Sequence, residues 1–186
     1  MSIICYIQAR GGSKRFPRKN LALWNGKPMV ADAIEKAQAA GVFDYIAVSS
    51  DDPEILQIAV DYGVLPLWRS PQASSDTATD DDVAAEVTRY FPKARHFCKL
   101  YPCIPLLTAN DIQELAKYAG RCTGVYFVDM RHLQDAGAMY LFSHERYLCK
   151  KTIALDRFPW VRVPIENACD INTPEDLETA RRMAND

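Results

Sequence analysis

Ile3-Ile4-Cys5-Tyr6-Ile7 runs directly into Gln8-Ala9-Arg10-Gly11-Gly12-Ser13-Lys14-Arg15-Phe16-Pro17-Arg18-Lys19-Asn20. Five consecutive apolar residues read as a strand buried on both faces, the habit of parallel sheets. The two glycines after Arg10 allow a sharp exit from the strand with backbone N–H groups exposed. The loop then gathers Arg10, Lys14, Arg15, Arg18 and Lys19 around one hydroxyl, Ser13. That density of cation suits a polyanion. A triphosphate carries about four negative charges, and guanidinium forks, ammonium groups and free amides are what hold phosphate oxygens. On these residues alone, a solvated basic turn between two elements stays open as the other reading. The loop is not a Walker motif, because no Lys-Ser/Thr follows the glycines at the required spacing. Nor is it a dinucleotide fingerprint: Gly-x-Gly-x-x-Gly is absent, and Pro17 interrupts any immediate helix.

Outward from this loop the chain alternates. Pro28 to Ala37 has apolar residues at helical spacing and ends at Gly41, a C-cap. Tyr45–Ser50 reads as a second buried strand, Asp51-Asp52-Pro53 starts a helix through Tyr62 closed by Gly63, and Val64 to Trp68 makes a short third strand. Residues 69–80 are rich in small hydroxylated and acidic side chains and read locally as a surface loop. It ends in the N-cap Thr79, with Asp80, Asp81 and Asp82 favoured by the helix dipole. His96 to Tyr101 is a fourth strand, Thr108 to Ala119 a helix capped by Gly120, and Thr123 to Asp129 a fifth strand. The closing stretch Asn167 to Leu177 reads as a strand end, the N-cap Thr173, Pro174 at the first helical position and a helix to Met183. The expectation is a single α/β domain over 1–186, three layers deep with a mostly parallel sheet. Its site should lie where loops 8–20, 69–80 and 170–173 meet at the strand ends.

The net charge of −2, with the basic residues concentrated in one loop, gives no electrostatic case for nucleic acid. No apolar run approaches bilayer length and the N-terminus lacks a signal-peptide pattern, so no membrane contact and a cytoplasmic location are expected. The cysteines, at 5, 98, 103, 122, 149 and 169, form no Cys-x-x-Cys pair and read as buried reduced thiols. Histidines 96, 132 and 144 are dispersed and are given no catalytic role.

The string from Ala9 to Asn20, Ala-Arg-Gly-Gly-Ser-Lys-x-x-Pro-x-Lys-Asn, followed by Gly26-Lys27-Pro28-Met29, resembles the signature of cytidylyltransferases that activate nonulosonic acids. The resemblance implies a Rossmann-like nucleotide-diphospho-sugar transferase fold. It also implies transfer of CMP from CTP to the anomeric hydroxyl of an acidic nine-carbon sugar, with release of pyrophosphate, for surface glycan biosynthesis. By the same resemblance Arg10, Gly11, Gly12, Ser13, Lys14 and Lys19 hold the phosphates and Asn20 contacts the nucleotide. Arg69, Ala78 and Asp80 take positions that recognise cytosine and ribose, although Asp80 stands where a smaller hydroxylated residue is expected. Sialic-acid members carry Gln at the position of Tyr101 and Arg at that of Leu107, so Tyr101 looks closer to the pseudaminic acid branch. A half-buried strand-end aromatic remains the other reading of it. Gln134-Asp135-x-Gly-x-x-Tyr140 is similar to an element near the sugar site in that branch, which makes Gln134 and Asp135 substrate candidates with Tyr101. Asp170 and Asn172 fall on two aspartates that hold Mg²⁺ in the family, and the loss of one charge should weaken that site. Arg10, Lys19 and Asp170 are thus the implied catalytic set. Relatives have a longer excursion before Gln134 that shapes the acceptor pocket and supports dimerisation, where this chain has only Met130 to Leu133. A homodimer therefore stays open. So does the alternative of a nucleotide-binding relative with little activity, kept as a partner or regulator.

Overall fold

The first apolar run forms β1 (Ile3–Gln8), buried along almost its whole length. A computed structural model describes residues 2–132, 134–155, 160–166 and 168–185, so Leu133 and Asn167, quoted above, lie outside the described residues. After β1 and a 3-10 turn at Lys19–Leu21 comes a small hairpin, β2 (Leu23–Trp24) and β3 (Lys27–Pro28). Its turn is Asn25-Gly26, both at positive φ, the pair that a two-residue hairpin of right-handed twist demands. Then follow α1 (Met29–Ala40), β4 (Tyr45–Ser50), α2 (Pro53–Asp61), β5 (Leu65–Trp68), α3 (Pro71–Ser74), α4 (Asp80–Tyr90), β6 (His96–Leu100) and α5 (Ala109–Ala116). The chain closes with β7 (Gly124–Asp129), β8 (Gln134–Ser143), α6 (His144–Lys150), β9 (Trp160–Ile165) and α7 (Pro174–Met183).

Among the described residues, seven strands form one sheet in the order β5-β4-β1-β6-β8-β7-β9. Every neighbour pair is parallel except the two made by β8. Alternation along β1 divides the core. Ile3, Cys5 and Ile7 pack under α1, α2 and α5, while Ile4 and Tyr6 face α4 and α6. These are the three layers and the mostly parallel sheet anticipated from the βα rhythm. Among the described residues, no helix is long and apolar enough to cross a membrane.

Several local expectations need correction. Residues 69–80 are not simply a surface loop: Ser70 caps the short helix α3, its Oγ accepting from the Ala73 N–H at 3.2 Å, and Arg69 is buried. The helix after Thr108 stops at Ala116. Tyr118 and Ala119 then donate to carbonyls only three residues back, a tighter turn that leads to Gly120 at positive φ. Residues 168–172 carry no strand, since β9 ends at Ile165. The Gln134 element, read only as a motif, is the antiparallel strand β8, and α6 and β9 had no distinct signal. Of the cysteines, Cys149 is exposed rather than buried.

Candidate active site

The phosphate-type loop is tied to the sheet from below. The Gly11 N–H donates to Asp51 Oδ1 at 2.8 Å, and a Cβ at Gly11 would lie 2.9 Å from Asp52 Cβ, so only glycine fits this approach. Asn20 is 6% exposed. Its amide donates to the Arg10 carbonyl at 2.8 Å while its oxygen accepts from the Cys103 thiol at 3.1 Å. Asn20 therefore pins the two ends of the loop to each other and to the segment after β6. Burial pushes the Cys103 thiol up to about 12, against the opposing pull of Lys19.

The loop cations meet carboxylates or amides at the mouth. Lys14 and Arg10 converge on Asp76 at 2.6 and 3.4 Å, and Arg15 and Lys19 converge on Asn172 Oδ1 at 3.1 and 3.2 Å. The Lys14–Asp76 contact, first of all, holds the Asp76 carboxyl below its ordinary range. Arg18 turns away, to Glu54 at 2.5 Å and Asp52 at 3.5 Å.

Beneath this rim lies a buried polar layer. Arg69, 2% exposed, donates to Ser49 Oγ at 3.1 Å and to the Ser49 carbonyl at 2.7 Å. Burial depresses its pKa, with the Asp51 carboxylate opposing. Asp80, the first residue of α4, accepts from Lys99 Nζ at 2.5 Å, from the Tyr101 hydroxyl at 2.8 Å and from Gln8 Nε2 at 3.1 Å. Burial alone would raise the Asp80 carboxyl, but the Lys99 ammonium and these hydrogen bonds hold it below its ordinary value. The Lys99 side chain is only 3% exposed, and burial lowers its pKa despite Asp80. Burial and neighbouring carboxylates push the Tyr101 and Tyr140 phenols far above their usual range.

Rim and layer enclose a cavity of about 650 Å³. Of the residues implied by the resemblance, Arg10, Ser13, Lys14, Lys19, Asn20, Arg69, Tyr101, Asp170 and Asn172 line it. Gly11, Gly12, Ala78, Gln134 and Asp135 do not, and Asp80 stands behind the lining, bonded to Tyr101. Gln134 and Asp135 are exposed at the start of β8, where Asp135 accepts from the Tyr140 hydroxyl. Gln8, Arg15, Asp76, Pro102, Cys103, Gly137 and Tyr140 complete the lining, and Lys99 supports it; sequence reasoning had Arg15 in the basic loop and Gly137 and Tyr140 in the sugar-side motif, and assigned the others no role in the site. For Lys99 a signal existed, a lysine inside the fully buried strand His96–Leu100.

Asp170 lines the cavity next to Asn172, which links it to the rim cations Arg15 and Lys19. Burial raises its pKa, with the Asn172 hydrogen bond and Lys19 pulling the other way. Asn172 donates from Nδ2 to Asp170 Oδ2 at 2.7 Å and gives its oxygen to Arg15 and Lys19. No cluster of three or more His, Cys, Asp or Glu side chains able to hold a metal occurs among the described residues. One carboxylate beside a basic rim fits a hard divalent ion that takes most of its ligands from water and substrate phosphates, not an all-protein cage.

Comparison with known proteins identifies the family to which this fold and sequence belong. Over an alignment of 221 positions the chain is 31% identical to a pseudaminic acid cytidylyltransferase of Campylobacter jejuni, covering 97% of this chain and 95% of that one. The alignment is longer than the chain, so the relative carries residues this protein lacks. An N-acylneuraminate cytidylyltransferase of Streptococcus agalactiae is 28% identical over 95% of this chain and 52% of its own. Among solved structures, a CMP:2-keto-3-deoxy-manno-octonic acid synthetase complexed with CTP superposes with a TM-score of 0.81 at 16% identity, over 100% of this chain and 99% of that one. The sequence profile of the cytidylyltransferases matches residues 4–135, and with 71% of its length inside that match the chain belongs to the cytidylyltransferase family.

Proposed function

We propose that residues 1–186 form one cytoplasmic cytidylyltransferase domain that moves CMP from CTP to a nonulosonic sugar acid and releases pyrophosphate. The observation that carries this is one cavity of about 650 Å³ whose lining brings Arg10, Ser13, Lys14 and Lys19 together with Asp170. Arg10 and Lys14 receive the β- and γ-phosphates, exchanging Asp76 for phosphate oxygens. Lys19 stands between Asn172 and the α-phosphate, where it neutralises charge that grows as the bond to pyrophosphate breaks. Arg69 and the 69–80 segment take the nucleoside. Asp170 orients the anomeric hydroxyl for in-line attack on the α-phosphorus, and holding the two reactants in that line is itself a large part of the acceleration. When bound at Asp170, Mg²⁺ would supply Lewis-acid stabilisation of the phosphate oxygens. Asn172 then serves to hold Asp170, Arg15 and Lys19 in register, as its three hydrogen bonds already do.

The test is pyrophosphate release from CTP with pseudaminic or N-acylneuraminic acid, with and without Mg²⁺, beside thermal unfolding with CTP, UTP, GTP and ATP. CTP at about a hundred times its dissociation constant should raise the midpoint by about 5–10 °C. Release of pyrophosphate that depends on the sugar acid supports the transferase. A CTP-specific shift without release favours the nucleotide-binding partner or regulator. Here the four-residue connection from Asp129 to Gln134, paired directly across the turn, favours that second reading, since it leaves little chain to shape an acceptor pocket.

A further inference from the structure

A separate cavity of about 810 Å³ lies at the end of the sheet remote from the loop cations. His96 opens β6 there, opposite Ile3 at the start of β1, whereas the basic loop leaves the other end of β1 after Gln8. At about 3.3 Å per residue, His96 stands about 16 Å along the chain from Tyr101, which lines the first cavity.

His96 is 7% exposed and lines this second space. Its Nε2 accepts from the Gly120 N–H at 3.0 Å, so in the neutral ring the proton sits on Nδ1. Burial, with Arg95 beside it, lowers the pKa of the ring and keeps it neutral at pH 7. Nδ1 is therefore a donor, and it is enclosed without a hydrogen-bond partner among the described residues. Leaving a buried donor unsatisfied is costly, so a water or a ligand must supply the acceptor.

The bond to Gly120 also brings two arginines to the same place. Arg95 precedes His96, Arg121 follows Gly120, and both line the cavity. Their backbones are fixed, the Arg95 N–H donating to Ser2 Oγ at 3.0 Å and the Arg121 N–H to the Tyr118 carbonyl at 2.9 Å. Both side chains are exposed, and neither guanidinium has a partner among the described residues. One carboxylate, the exposed Glu145, shares the lining, so cations exceed anions there by one. An imidazole N–H beside two guanidinium forks suits a ligand with several charged oxygens. A phosphate monoester presents three terminal oxygens, one for each donor group, whereas a carboxylate presents two. The cavity is larger than a bare phosphate, and Cys122 and Leu148 line part of the remainder.

We propose that Arg95, His96 and Arg121 form a binding site for a phosphate group, free or carried on a small ester, at the end of the sheet remote from Asp170. The site is independent of the transferase reading.

The experiment follows the His96 Nδ1 resonance by NMR of isotope-labelled histidine while inorganic phosphate or glycerol phosphate is added at constant ionic strength. It is run on wild type, on the double variant Arg95→Gln/Arg121→Gln, and on Lys14→Ala, which weakens the active-site loop alone. The resonance should move saturably in wild type and in Lys14→Ala with the same midpoint. In the double variant, which should fold because both side chains are exposed, binding should weaken about tenfold or more. Tighter binding of glycerol phosphate supports the site with an ester as its ligand, and equal binding supports it with free phosphate. A resonance that neither anion moves overturns the inference and gives Nδ1 to a buried water. So does equal affinity in the double variant, or loss of the effect in Lys14→Ala, which would trace it to the loop. Should the double variant not fold, the wild-type and Lys14→Ala titrations decide by themselves.

Discussion

The two walls of the cavity are built on opposite principles. The rim, Arg10 to Lys19, is a set of exposed and half-buried cations whose contacts lie at the mouth: the Lys14 side chain is 78% exposed and its partner Asp76 54%. Exposed ion pairs of this kind contribute little, so a phosphate would displace Asp76 at small cost. The strand-end layer is the reverse. Arg69, Asp80, Lys99 and Tyr101 are desolvated and bonded to one another, and a gap opened there leaves a partner unsatisfied. In the proposed function, the difference separates side chains that would exchange partners with the ligand from side chains that would set the shape it meets. A substitution in the rim should change chemistry without changing stability, and one in the layer should change both.

The sharpest division should come from Lys19→Ala. Losing one preorganised charge at the transferring phosphate typically lowers turnover by about 10²- to 10³-fold, and that drop is expected in pyrophosphate release. The thermal midpoint should stay within a few degrees of wild type, because loop backbone geometry is held by Asn20 rather than by Lys19. Unchanged kinetics would remove Lys19 from the chemistry. A large fall in the midpoint would erase the contrast between rim and layer.

Arg69→Met probes the other wall. It deletes two hydrogen bonds to Ser49 and strands the Ser49 hydroxyl, so a loss of about 2 kcal/mol is expected. For a chain of this size that is about 4–8 °C in the midpoint, and the CTP-dependent shift should disappear with it. A stable Arg69→Met protein that still responds to CTP would mean that the layer is as replaceable as the rim.

The same contrast governs what could be read without coordinates. The rim is one continuous string, Arg10 to Asn20, and its convergence on one cavity was legible because its residues are adjacent in sequence. The parallel sheet was legible for a similar reason, since βα units announce themselves through local apolar runs such as Tyr45–Ser50 and through caps such as Thr79 and Thr173. The layer is assembled across strands. Gln8, Asp80, Lys99 and Tyr140 come from four elements, and only the pairing of Lys99 with Tyr140 and with Tyr6 brings them onto one face of the sheet. β8 escaped for another reason. Its two acidic and polar leading residues and Gly137 dilute the apolar alternation, and its antiparallel insertion between β6 and β7 breaks the sequential order that βα counting assumes. Asn172 was placed by its motif as a metal ligand; that its amide also bridges Asp170 to Arg15 and Lys19 is a contact that only the fold reveals.

A smaller effect would sharpen the account of the rim. Asp76 occupies Arg10 and Lys14 and would therefore compete with a phosphate for both. Asp76→Asn should tighten CTP binding by about 2- to 5-fold, the span that an exposed pair can contribute, and the gain should shrink as salt is raised. Titration calorimetry at two ionic strengths would measure it. Weaker binding in Asp76→Asn would show that this carboxylate orders the loop instead of masking it.

The smallest signal tests whether the rim is mobile in its backbone as well as exchangeable in its side chains. Cys103 lies beneath the loop, 4% exposed, bonded through its thiol to Asn20, which in turn holds the Arg10 carbonyl. Its thiol is pushed up to about 12 by burial, and burial also raises those of Cys122 and Cys169, whereas Cys149 is exposed on α6. Since the thiolate is the nucleophile, a disulfide reagent at pH 8 should modify Cys149 first and Cys103 only at the rate at which the loop lifts from Asn20. Mass spectrometry of the labelled peptides with time should find one fast site, and CTP should slow Cys103 without affecting Cys149. Cys103 labelled as fast as Cys149 would mean that the loop backbone is already open in the free protein. The rim would then differ from the buried layer in its backbone order as well as in the exposure of its side chains.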